Sequence, residues 1–209
     1  MSEKIETALV CYTQTTFDNL QADELDYEPE EGTDNSRIPK LAEQLSSALR
    51  IAGVDSDIVK VPQRSFEARD VSKAAFAWRL LDLKESNGRV IDLVICLDFP
   101  AWSLNHPQKL CWLDSLPNFV TRRRSGQPPK SEGNGQAVEF LNNVNSLLQA
   151  ERRGLSEAWR AMAGSRPIAE EIARSGLQSE FNPFPTLELA PDSPEWQTVI
   201  KRVLNWNGR

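Results

Sequence analysis

Histidine and cysteine are scarce in this sequence, and their scarcity excludes several kinds of site. The single histidine, His106, rules out metal centres built on histidine pairs, and no nucleophile elbow offers it a serine for a triad. The three cysteines lack CxxC spacing, and their odd number argues against a secreted disulfide framework. We therefore expect Cys11, Cys96 and Cys111 to be buried thiols.

Long apolar runs, excess positive charge and glycine-rich phosphate motifs are also missing. No apolar stretch approaches the roughly 20 residues that span a bilayer, and the N-terminus leads into a strand-like run rather than a signal peptide. The formal charge of −6 speaks against nucleic acid as a general partner. Neither GxGxxG nor a Walker loop occurs. These absences lead us to expect a cytoplasmic globular protein with no cofactor.

Strand-like and helix-like segments alternate along the first 176 residues. Apolar and β-branched runs predict strands at 5–12, 57–61, 90–97, 109–113 and 161–165, with Pro62 ending the second. Helical spacing predicts helices at 38–49, 66–83, 136–150, 153–159 and 167–176, the second with an apolar stripe through Phe76, Leu80 and Leu83. The alternation predicts an α/β fold with one doubly wound parallel sheet, whose ligands bind beyond the carboxyl ends of its strands.

Residues 92–113, DLVICLDFPAWSLNHPQKLCWL, are the most distinctive part of the sequence. They resemble the run D-L-V-I-x-x-x-F-P-A-x-x-x-x-H-P-x-K-x-x-W-L in the N-terminal domain of bacterial family 4 glycosyltransferases, which share the GT-B fold. Residues 78–83 and 147–165 are similar to the same family. The resemblance implies a Rossmann-like domain that forms the acceptor side of a cleft, facing a second domain that binds the sugar nucleotide.

The sequence departs from the family's pattern at three places. No second Rossmann domain follows. Asp114 and Ser115 stand where the family usually has a His-Gln pair. A segment that begins at Thr13 and includes an acidic insertion replaces the glycine-rich loop. The resemblance then implies a truncated GT-B half, a non-catalytic or partner-dependent subunit (a pseudoenzyme) whose partner is a full-length glycosyltransferase, a donor-binding chain or a second copy. Two alternatives stay open: a minimal active transferase using a nucleotide sugar, and a sugar- or nucleotide-binding module without turnover.

The candidate binding residues at the rim of the cleft combine the resemblance with the rule for strand ends. They are Thr13, Phe99, His106, Lys109, Asp114, Ser115 and Ser165. Five of them have a structural alternative. His106 would cap a loop, Lys109 would be a solvated charge at a strand start, Asp114 and Ser115 would be loop N-caps, and Ser165 would cap a helix rather than bind an anion.

The end of the chain reads as an extension of the main domain. We expect a Rossmann-like domain over residues 1–185 and an extension over 186–209, with an amphipathic helix opened by Ser193 and Pro194. This helix resembles the crossing helix of GT-B enzymes and should pack back on the sheet. The basic stretch Arg122–Arg124 is either a solvated loop or a weak contact to an anionic membrane surface or an acidic partner.

Overall fold

The computed structural model describes residues 4–15, 37–64, 68–86, 88–113, 134–174 and 176–204. Its elements, in chain order, are β1 Thr7–Thr15, α1 Arg37–Ile51, β2 Asp55–Gln63, α2 Ala68–Leu80, β3 Glu85–Ser86, β4 Arg89–Val90, β5 Leu93–Cys96, a 3-10 turn Ala101–Ser103, β6 Lys109–Leu113, α3 Asn134–Ser156, β7 Arg160–Ala163, α4 Arg166–Arg174, β8 Glu180–Phe181 and α5 Pro194–Leu204. Among these residues, no helix is long and apolar enough to cross a membrane.

Six strands form one parallel sheet in the order β2-β1-β5-β6-β7-β8, and β3 with β4 forms a separate small hairpin. The chain first runs outward from β1 to β2 and then continues on the other side of β1 with β5. The strand order therefore reverses between β1 and β5. This arrangement confirms the predicted α/β fold with a single Rossmann-like sheet.

Alternate residues of the strands point into two separate apolar layers, as the period of two in a strand requires. Val10 on β1 faces a layer that α1 and α5 cover, whereas Cys11 faces a layer that α2, the 3-10 turn, α3 and α4 cover. β5 and β6 are buried along their whole length. Cover on both faces explains their nearly continuous apolar sequence. Cys96 and Cys111 are buried with Cys11, as expected.

The final helix packs on the first layer, as predicted. Trp196, Ile200 and Val203 of α5 are buried in the core that β1 and α1 share. Phe184, in the segment before it, stacks on Trp112 of β6 with ring centroids 4.1 Å apart. The C-terminal extension therefore belongs to the same apolar core as the sheet.

Several predicted boundaries are wrong, each for a physical reason. The second strand continues through Pro62, since β2 is an edge strand of the described sheet and needs no amide hydrogen there. The run predicted as one strand at 90–97 is divided, with Val90 in the hairpin and β5 beginning at Leu93. The helices predicted at 136–150 and 153–159 are one helix, because Gly154 continues α3 without a break.

The predicted apolar stripe of α2 is also wrong. Phe76 and Leu80 point outward and are 65% and 67% exposed, while the helix buries Val71, Ala74 and Trp78. Small residues thus form most of the buried face of α2, and only Trp78 adds bulk. A periodicity argument that weights large apolar residues selects the wrong face here.

Candidate functional site at the carboxyl edge of the sheet

The reversal of strand order between β1 and β5 brings Thr13 next to the segment that follows β5. In open parallel sheets this is where ligands bind. The Asp98 carboxylate accepts hydrogen bonds from the Thr13 amide at 3.1 and 2.9 Å. The Thr13 hydroxyl in turn accepts a hydrogen bond from the Trp78 indole nitrogen at 3.0 Å. Thr13 is thereby fixed between the sheet and α2.

A second aspartate secures the opposite end of β5. The Asp92 carboxylate accepts from the amides of Glu6 and Thr7, at 2.8 and 3.0 Å, just as Asp98 accepts from the amide of Thr13. Asp92 and Asp98 are six residues apart, and so are Thr7 and Thr13, whose amides donate to them. The two carboxylates therefore hold β5 against β1 at both ends, which fixes the register of these strands at the point where strand order reverses.

Asp98 is the titratable group of this edge whose pKa lies nearest neutrality. Loss of solvation raises its pKa to about 7, against the lowering effect of hydrogen bonds from Thr13 and Ala101. The residue is nevertheless partly exposed. Tyr12 lies nearby on β1, and burial together with the charges of Glu43 and Asp98 raises its pKa. A carboxylate so placed can accept a hydrogen bond from a ligand hydroxyl and exchange a proton near pH 7.

Phe99 lies next to Asp98 at the same carboxyl edge of the sheet. Its ring packs against Trp102 with centroids 5.6 Å apart, and the Phe99-Pro100 peptide bond is cis. The Trp102 amide donates to the Asp98 carbonyl at 3.2 Å, which turns the chain into the 3-10 turn. Phe99 is half-buried and lies beside Asp98, so the structure brings Thr13, Asp98 and Phe99 together.

Lys109 and His106 lie at the opposite, amino edge of the sheet. Lys109 pairs with Val94 near the start of β5 and is fully buried, and its ammonium group donates to the carbonyls of Trp102 and Leu104, both at 2.8 Å. The interpretation of Lys109 as a solvated charge is therefore wrong. It caps the 3-10 turn that takes the place of a crossover helix between β5 and β6.

His106 is likewise a structural residue. Its Nε2 lies 3.1 Å from the carbonyl oxygen of Ile91, and its Nδ1 accepts a hydrogen bond from the Gln108 amide at 3.1 Å. Burial lowers its pKa, so the ring is neutral near pH 7. The structure supports the capping interpretation, and it separates His106 and Lys109 from Thr13 and Phe99 by the length of the strands.

Ser165 begins α4 after β7. Its hydroxyl is 3.5 Å from the Ile168 amide and its carbonyl accepts from the Ala169 amide, which is the geometry of an N-cap. Gly164, just before it, donates to the Leu113 carbonyl at 2.7 Å, and a Cβ there would lie 3.0 Å from that oxygen. Ser165 thus has the capping role that was its alternative.

Other predicted residues lie outside the described part of the chain. These are Asp114, Ser115 and the basic stretch 122–124. Sequence reasoning missed Asp98, although it stands inside the distinctive segment two residues before Pro100. Its position directly after a buried strand was the available signal. Within the described ranges, no three potential ligands are grouped in a way that would hold a metal ion.

The chain is a Rossmann-like α/β domain, and the edge between β1 and β5 is the position at which such sheets bind ligands. Comparisons with protein-family models, with curated proteins and with solved structures found no match.

Proposed function

We propose that this protein is the acceptor-side half of a GT-B-type glycosyltransferase and works as a non-catalytic or partner-dependent subunit. The observation that carries the proposal is the structure of residues 92–113. They form two adjacent parallel strands joined by a 3-10 turn, and most residues of the run that carries the resemblance are buried there. The Lys109 ammonium group and the indole of Trp112 are both fully buried.

The carboxyl edge supports the binding part of this proposal. Asp98 and Phe99 offer a carboxylate and an aromatic ring at one place, where Thr13 holds Asp98, and sugar hydroxyls are recognised by such groups. Transfer from a nucleotide sugar also requires cations or helix N-termini that stabilise the departing diphosphate. We assign that task to a partner chain, which would complete the cleft.

A titration of the full chain with UDP- and GDP-sugars tests the proposal, first alone and then with a full-length glycosyltransferase or donor-binding chain added. We expect binding only when the second chain is present. Turnover by this chain alone would instead make it a minimal enzyme, and tight binding without turnover would make it a binding module. Either result would contradict the subunit proposal.

Variants at the carboxyl edge locate the site. Asp98→Asn should weaken sugar binding by the assembled pair by roughly tenfold, since a charge-assisted hydrogen bond is lost, whereas the conservative Thr13→Ser keeps the hydroxyl and should change binding little. Asp57→Asn is the matched control, because Asp57 is exposed on β2. Thermal unfolding of each variant separates loss of the site from loss of the fold. Unchanged binding in a folded Asp98→Asn variant would remove the site from this edge.

A further inference from the structure

The outer face of α2 exposes a stripe with two chemically different halves. Phe76 and Leu80 are four residues apart and largely exposed, so their side chains are neighbours on the helix surface. Arg69 and Lys73 continue the same face toward the start of α2, at the spacing i, i+4, i+7 and i+11. We name these four residues the α2 stripe. One half is basic and the other apolar.

A groove runs beside the α2 stripe, between α2 and the edge strand β2. It is a cavity of about 420 Å³ with apolar walls from Val61, Pro62, Ala74 and Ala77. Lys73 lines the groove as well as belonging to the stripe, so the two features form one continuous surface. The cavity has the size of a site for a small ligand or a few side chains.

The charge of this surface is opposite to that of the protein. Arg64 lines the groove, and Lys73 lies 3.1 Å from the carboxylate of Asp70, which is only 14% exposed. Among the residues that the structure describes, this surface therefore presents three cations, one of them paired with the largely buried Asp70 carboxylate, in a chain whose formal charge is −6. Such a local reversal of sign favours a negatively charged partner and steers its approach.

We propose that the α2 stripe and its groove dock an acidic amphipathic segment of another protein. Apolar side chains of that segment would cover Phe76 and Leu80, and its carboxylates would face Arg69 and Lys73. Apolar anchors bounded by charges are the usual pattern of a helix bound in a groove. Binding of such a segment involves no sugar, so it can be tested independently of the proposed function.

Two synthetic amphipathic helical peptides test the proposal with the full chain. They share one Leu/Phe face and differ only in their flanks, which are glutamate in one and lysine in the other. Fluorescence anisotropy should show the glutamate peptide binding at least about tenfold more tightly, and the preference should shrink at high salt. Equal affinity of the two peptides would overturn the proposal.

Variants of both halves make the test specific. Phe76→Ser with Leu80→Ser should weaken the glutamate peptide by about tenfold or more, and Arg69→Glu with Lys73→Glu should reverse the preference toward the lysine peptide. Ile51→Ser and Lys40→Glu on α1 are matched controls, because both side chains are exposed there. All these positions lie on the surface, so circular dichroism should be unchanged. If the α2 substitutions leave the affinities for both peptides unchanged, the assignment of the binding surface to the α2 stripe is overturned.

Two other occupants of this surface are distinguishable. A peptide of residues 16–36, which holds eight acidic and no basic residues, is titrated in the same assay. If it displaces the glutamate peptide and binds equally well, the surface belongs to the chain's own acidic segment and the partner proposal fails. A concentration-dependent dimer that the Phe76→Ser and Leu80→Ser pair abolishes would assign the surface to a second copy and would also overturn it.

Discussion

Lys109 and Glu151 are two buried charges on the same side of the sheet, and they differ in what surrounds them. Lys109 is fully buried and donates to two carbonyl oxygens at 2.8 Å. Glu151 on α3 is 6% exposed, and no hydrogen bond to its carboxylate is found within the described part of the chain. Burial raises the pKa of Glu151 to about 7.

Within the described residues, the 3-10 turn against which α3 packs contains buried polar atoms without a hydrogen bond. Gly154, one turn along α3, lies against Trp102, and within the described residues the Trp102 indole nitrogen and the Ser103 hydroxyl are buried without a hydrogen bond. Lys109 therefore supplies a donor to two carbonyls of the turn segment, whereas the Trp102 indole nitrogen, next to α3, has no hydrogen-bond partner among the described residues. Buried polar atoms are rarely left so, and the contrast marks this contact as the less stable one.

Replacing the partnered charge should have the largest effect. Lys109→Met keeps the volume but leaves the carbonyls of Trp102 and Leu104 buried without donors, which should lower the free energy of unfolding by about 3–5 kcal/mol. Urea unfolding followed by tryptophan fluorescence measures it. Lys201→Met on the exposed side of α5 is the control and should stay within about 0.5 kcal/mol. Equal effects of the two substitutions would mean that Lys109 is not what holds the turn.

The fold was predictable from the sequence because strand and helix signals alternate, and because β5 and β6 are covered on both faces. The prediction failed where packing overrides periodicity. Nothing local in the sequence shows that α2 buries Ala74 and exposes Phe76, since that choice depends on the elements against which α2 packs. Likewise, Pro62 ends a central strand but not an edge strand, and strand order is a tertiary property.

The candidate site was predictable only in part. The strand-end rule located Thr13 and Phe99 correctly at the carboxyl edge, where Asp98 joins them. The same rule misplaced His106 and Lys109, because the connection between β5 and β6 is a short 3-10 turn that returns the chain to the amino edge within a few residues. A sequence pattern gives the order of residues but not the edge at which a short connection ends.

The second largest effect is expected from a small substitution in α3, where this helix contacts the 3-10 turn. In Gly154→Ala the new Cβ would lie 2.6 Å from the Trp102 carbonyl oxygen and 2.9 Å from its indole Cδ1, so α3 or the 3-10 turn must shift. We expect a loss of about 1–3 kcal/mol in the free energy of unfolding, despite the better helix propensity of alanine. Urea unfolding measures this change.

Arg152→Ala on the exposed face of the same helix is the control for Gly154→Ala. It should change the stability by about 0.5 kcal/mol or less. A Gly154→Ala variant as stable as the parent would show that α3 and the turn are not in the close contact described, and the comparison between Lys109 and Glu151 would lose its basis.

The smallest expected effect is a gain in stability, and it depends on pH. Because the pKa of Glu151 is raised from its ordinary 4.5 to about 7, the folded state binds the proton more tightly than the unfolded state does. The associated stability is present below about pH 4.5 and is lost as the pH rises through 7. Glu151→Gln should therefore raise the free energy of unfolding by about 1–2 kcal/mol at pH 8.5 and by little at pH 5.

Urea unfolding of the Glu151→Gln variant at these two pH values measures the difference, with exposed Glu188→Gln as the control. The Glu151→Gln variant should still lose some stability between pH 5 and pH 8.5, because the pKa of Asp98 is raised in the same direction and Asp98 titrates over the same range. Adding Asp98→Asn should flatten that remaining slope. If Glu151→Gln shifts stability equally at both pH values, then the carboxylate of Glu151 is solvated or paired, and the two buried charges do not differ as described.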